Sequence, residues 1–120
     1  MEDDPRFVQA IALFNAGDFY EAGDLFEELF FEAVRDEVPL ARVLLQVSVG
    51  FHHAAVLQRR PAIERLEEGI RAMDEVTNAR GIDIARLRAE TVRAVAALRK
   101  GERWEAARIA TASSPAGPAA

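Results

Sequence analysis

Apolar residues return every three or four positions through most of this chain, which is the period of helices with one face turned inward. Asp4-Pro5 marks the first start: an acidic N-cap, then proline where a missing N–H costs nothing. Phe7, Ala10, Ile11 and Phe14 follow as one apolar face, and Gly17 supplies the positive φ that ends a helix. Asp18 opens a second helix with Glu21 three residues on, and its carboxylate is placed to accept from the first-turn amides. Phe19, Ala22, Phe26, Leu29, Phe30 and Ala33 form its inner face. A polar loop at Arg35-Asp36-Glu37 leads to a third helix, from about Val38 to Arg59, apolar almost all round. Such a helix belongs at the centre, covered on several sides.

Pro61 restarts the chain as a fourth helix, carrying Ile63, Leu66, Ile70 and Met73. Asn78 to Gly81 closes it, and Asp83 caps a fifth helix that stops at Lys100-Gly101. The pattern predicts a short sixth helix over about Glu102 to Ala110, tucking Trp104 against the rest. The expected fold is all-α: a bundle of five to six helices built from antiparallel hairpins, one domain over 1–110 with a frayed tail over 111–120. Two hairpins, Ala10 to Ala33 and Gln46 to Ile70, pivot at Gly17-Asp18 and Arg60-Pro61. They give a tetratricopeptide-like rhythm, in too few copies for a solenoid.

Charge changes the picture more than composition does. Residues 1–38 hold 2 basic and 11 acidic side chains, a balance of −9, whereas residues 80–120 hold 8 and 4, a balance of +4. A chain of net −5 with an acidic front is a poor nucleic-acid binder, although Arg86, Arg93, Lys100 and Arg103 would carry such binding if it occurred. The basic end is better read as a partner for the acidic end, within one molecule or between two. There is no cysteine, so no disulfide and no thiolate metal site. The acidic start does not resemble a secretory leader, and the longest apolar run, Val43 to Phe51, is too short to span a bilayer. The expected setting is the cytoplasm, with no membrane partner.

Candidate chemistry gathers where the second and third helices should meet. His53, Gly50, Gln46 and Arg42 fall on one polar stripe of the greasy third helix. His52 stands about 100° away, too far round to share a site easily with His53. Glu21, Asp24, Glu28 and Glu32 line the second helix, with Glu27 beside them. In an antiparallel hairpin, facing residues have numbers that sum to roughly 73. That rule sets Gln46 by Glu27, Gly50 by Gly23, and His53 by Tyr20 and Glu21. Gly23 and Gly50, costly inside helices, then mark a close approach. Asp24, Glu27, Gln46 and His53 are the candidates for acid–base catalysis, and Glu27 and His53 for a divalent metal. The plainer reading is a satisfied polar network, with Tyr20, Glu21 and Arg42 completing the seam. No cofactor is predicted. Phosphate-binding loops are absent, and Ser48, four residues before His52, would lack oxyanion donors in a helix.

The run Ala12 to Phe30, with Leu44 to His53, Arg60-Pro61 and Gly81-Ile82-Asp83, resembles domain-of-unknown-function family 309 over about residues 7–98. That resemblance implies a helical bundle without an established biochemical role. The family's second helix reads His-Glu-x-Leu-Glu-x-x-Trp. Here Glu27 is kept, Asp24 is a shortened acid, Gly23 replaces the histidine and Phe30 the tryptophan. In the third helix Gln46 and His53 are retained, and Arg42 stands where the family tends to place glutamine. The missing histidine weakens the case for an enzyme. The expected function is a non-enzymatic protein-interaction module that self-associates, since Phe30 and Phe31 cannot both face inward. The alternative is a hydrolase-like enzyme, metal-assisted or acid–base.

Overall fold

A computed structural model describes residues 1–111. Five helices are present among them: α1 (Pro5–Asn15), α2 (Phe19–Glu32), α3 (Glu37–Ala55), α4 (Arg59–Met73) and α5 (Ile84–Lys100). Each packs on its neighbour in the chain, most extensively α3 on α4, so the all-α bundle is as the pattern predicted. The tail expected over 111–120 lies, apart from Thr111, outside the described residues.

Local signals act where they were read. Asp4 caps α1 by accepting the Arg6 backbone N–H at 2.9 Å. Asp83 does the same for α5 through the Arg86 N–H at 3.0 Å. Gly17 and Gly101 take φ +89 and +69 at the ends of α1 and α5. Asp18 differs: it precedes α2 without a side-chain cap bond.

Two boundaries move. Helix α3 ends at Ala55 rather than Arg59, and the turn is Val56-Leu57-Gln58, with Leu57 in the left-handed region at φ 64. Helix α4 is therefore under way by Arg59, and Pro61 sits inside its first turn, where N–H groups have no helical partner to lose. The sixth helix does not form. Residues 102–110 run as a strap without helix, whose backbone is bonded from outside. Ile109 exchanges two hydrogen bonds with the Asn15 side chain, at 2.8 and 2.9 Å. The Arg108 N–H donates to Glu90, the Ala110 carbonyl accepts from the Asp83 N–H, and Thr111 bridges to Ile82. Trp104 does tuck in, stacked on Phe51 at 5.8 Å.

Helix α3 is the centre, with Leu40, Val43, Leu44, Val47 and Phe51 fully buried. Arg6 clamps α1 to α2 by pairing with Asp4, Glu28 and Glu32. Its guanidinium, and then its backbone N–H, hold the Asp4 carboxyl down at about 2 from an ordinary 3.8. A folded-state pKa below the unfolded one stabilises the native state above pH 3.8, and that contribution disappears as pH falls through 2. Asp4→Asn should therefore melt less steeply than the parent between pH 4 and 2, a comparison checked by thermal melts across about that window.

Candidate functional site

The antiparallel contact of α2 with α3 forms, and it leaves a shallow hollow of about 150 Å³ between them. Tyr20, Gly23, Asp24 and Glu27 reach it from α2; Leu45, Val49, His52 and His53 reach it from α3. Of the residues singled out from the sequence, Tyr20, Gly23, Asp24, Glu27 and His53 thus share one place. His52 joins them, although its angle on the wheel made a shared site with His53 the less easy arrangement. The two imidazoles straddle the hollow with ring centres 6.0 Å apart, and the Tyr20 ring lies 5.3 Å from His52. His53 Nδ1 is 2.5 Å from Gln58 Oε1, so that nitrogen is already engaged.

The rest of the expected seam lies elsewhere. Gln46 faces α4, where its Oε1 accepts from Arg65 at 3.3 Å. Gly50 also faces α4 and not Gly23: a Cβ there would stand 2.6 Å from Leu66 Cδ2. Gly23 lies against Ser48 and Val49, at 3.7 and 3.9 Å from a notional Cβ. Only Gly50 is needed for a close approach, and that approach is to α4; at Gly23 a side-chain methyl would fit at ordinary contact distance, so the expected close approach there is not made. Arg42 covers the Phe30 ring at 5.8 Å, a cation–π contact at the far end of the hairpin. Glu21 is exposed to solvent. The physical reason is that α3 is covered on two sides, so its polar stripe is shared between α2 and α4.

The chemistry this permits is limited. No three His, Asp or Glu side chains among the described residues come together as a metal would need. Ser48 is fully buried, and its hydroxyl makes no hydrogen bond, to His52 or to any other described residue.

The flank of α2 that borders the hollow continues beyond it as an exposed stripe. Tyr20, Asp24, Glu27 and Phe31 recur at i, i+4, i+7 and i+11, which places them on one stripe about 16 Å long. Tyr20 is 62% exposed and Phe31 76%, and Val34 beyond the helix is 61% exposed. Among the described residues Asp24 and Glu27 enter no ion pair. On the helix wheel Tyr20 and Phe31 fall on the same exposed flank as Asp24 and Glu27, beside the buried face, which adds Tyr20 to the outward phenylalanine expected from the Phe30-Phe31 pair.

The charge split is only partly closed within the molecule. Arg80 joins the two ends by pairing with Glu2 and Asp36 at 2.8 and 3.2 Å. Burial opposes its charge, but the Glu2 hydrogen bond comes first and raises its pKa. Of the other cations in the last third, Arg86 pairs with Glu90, Arg88 with Asp74 and Arg99 with Glu67, so these three pairs do not reach the acidic first third.

Residues 7–64 match the model of a family described as a domain of unknown function, DUF309. The match takes in α1, α2, α3 and the start of α4, and stops short of the residue 98 that the resemblance suggested. No curated protein and no solved structure matches the chain.

Proposed function

We propose, for a chain whose residues 7–64 match the DUF309 model, that it is a non-enzymatic helical interaction module whose partner lies along the exposed flank of α2 that borders the hollow. The observation that carries this reading is the stripe Tyr20, Asp24, Glu27, Phe31: two exposed aromatics three turns apart, bracketing carboxylates without ion pairs. Aromatic rings are the usual anchors of helix-mediated contacts, and large exposed ones rarely stand in line without a partner. The carboxylates specify the partner's sign. Two copies laid α2 on α2 would oppose like charges, so self-association runs head to tail, onto the basic last third of a second copy. Helices too short or too polar to cross a membrane, among the described residues, agree with the cytoplasmic setting that belongs to the same proposal.

Sedimentation velocity over rising protein concentration tests it. The parent chain is expected to form larger species that weaken with added salt, as charge steering requires. Phe31→Asp should weaken association by about thirtyfold, the cost of a central aromatic anchor, while leaving the helical signal intact. A parent chain that stays monomeric at every concentration removes self-association. Identical behaviour of the parent and the variant removes the α2 stripe.

A further inference from the structure

Part of the positive last third is gathered into one place. A groove of about 450 Å³ runs between α5 and the strap, lined by Arg86, Arg93, Arg103, Arg108, Glu90 and Trp104. Glu90 is already engaged: its carboxylate accepts from Arg86 Nε at 2.9 Å and from the Arg108 backbone N–H at 2.8 Å. Burial alone would raise its pKa, yet those two donors outweigh burial and hold it below the usual carboxylate range. Glu105, also on the wall, makes no ion pair among the described residues. The guanidinium groups of Arg93, Arg103 and Arg108 likewise make no direct ion pair among the described residues, although the charge of Arg93 is near enough to help hold the Glu90 pKa down.

The groove is held in shape. The strap that forms one wall is pinned by the paired hydrogen bonds of Asn15 with Ile109 and by the Asp83 bond to Ala110. Trp104 stacks on Phe51 and is only half-buried, so part of its indole lines the groove. Guanidinium groups offer paired N–H donors that match phosphate oxygens, and an indole face suits a flat ring. An overall charge of −5 repels polyanions at long range, which disfavours a nucleic-acid strand but not a small anion within reach of three arginines.

We propose that the groove between α5 and the strap binds a small phosphorylated molecule bearing a planar ring, of the nucleotide class. Its phosphates lie on Arg93, Arg103 and Arg108, and its ring lies against Trp104. This site does not include the α2 stripe, but it lies within the basic last third on which that stripe is proposed to dock, so a second copy seated there would compete with the ligand.

Trp104 is the single tryptophan, so its emission reports on the groove directly. The full chain is titrated at constant ionic strength with ADP, pyrophosphate, adenosine and citrate, with heats measured in parallel. ADP should saturate and bind more tightly than pyrophosphate, with adenosine and citrate weaker than either. Arg93→Ala combined with Arg103→Ala should raise the ADP Kd by about tenfold or more with the helical signal unchanged, since charge-assisted bonds are lost from an exposed wall. Phe31→Asp should bind ADP at least as tightly as the parent does. The proposal is overturned if ADP does not saturate, if citrate binds as tightly, if the double variant keeps the parent affinity, or if Phe31→Asp abolishes the signal and so makes it a by-product of association.

Discussion

Replacing Phe51 by alanine should cost about 4 kcal/mol of stability, with unfolding in urea followed by helical signal as the measurement. Phe51 is fully buried near the end of α3, and its ring is the hub of a four-ring cluster. Phe14 of α1 meets it edge-on at 6.0 Å, Phe19 of α2 lies at 5.6 Å, and Trp104 of the strap stacks on it at 5.8 Å. Truncation therefore opens a cavity bounded by three different elements, and none of them can move in alone to fill it. The effect has a second readout. With its stacking partner gone, Trp104 becomes more exposed in the folded state, so its emission shifts to longer wavelength before any unfolding. The exposed Phe31 is the contrasting case: Phe31→Ala should change stability by no more than about 0.5 kcal/mol. A Phe51→Ala chain as stable as the Phe31→Ala chain would mean that the strap and α1 do not meet on α3.

The parts of this molecule that could be read from its sequence are those decided within one helical turn. Asp4-Pro5, Gly17, Asp83 and Gly101 fix helix ends through their own backbone and side-chain preferences, and each does so at the expected place. The greasy α3 could be placed at the centre because no side of its middle is polar enough for water. The strap was illegible for the opposite reason. Residues 102–110 are rich in the good helix formers Ala, Arg and Glu, and that local preference is overridden by partners that lie far off in sequence. Asn15 is 94 positions from Ile109, and Glu90 is 18 from Arg108. The turn at Val56-Leu57-Gln58 was hidden too, because a leucine in the left-handed region carries no sequence mark. For the site, period alone placed Tyr20, Asp24, Glu27 and His53 correctly on the facing sides of a hairpin. It could not say that Gln46 and Gly50, on the same stripe as His53, belong to α4, because a wheel gives angles and not neighbours.

That misassigned glycine yields the sharpest remaining test of the packing. Gly50→Ala should destabilise the chain by about 2–3 kcal/mol, although alanine is favoured over glycine inside a helix by about 1 kcal/mol. A methyl group at position 50 would stand 2.6 Å from Leu66 Cδ2, 2.7 Å from Cγ and 3.1 Å from the Leu66 backbone nitrogen. Leu66 is itself fully buried, so its side chain has nowhere to turn and α4 must lift away from α3. Gly23→Ala should act the other way. Its methyl group would meet Ser48 and Val49 at ordinary contact distances, leaving the helical preference to stabilise the chain by about 0.5–1 kcal/mol. Adding Leu66→Ala to each separates packing from propensity. The loss caused by Gly50→Ala should shrink in that background, because the two closest atoms it strikes are gone and only the Leu66 backbone nitrogen remains, while the gain from Gly23→Ala should be unchanged. Equal effects of the two glycine substitutions would place α4 away from position 50, and with it Gln46 and Arg65, returning that side of α3 to the seam with α2.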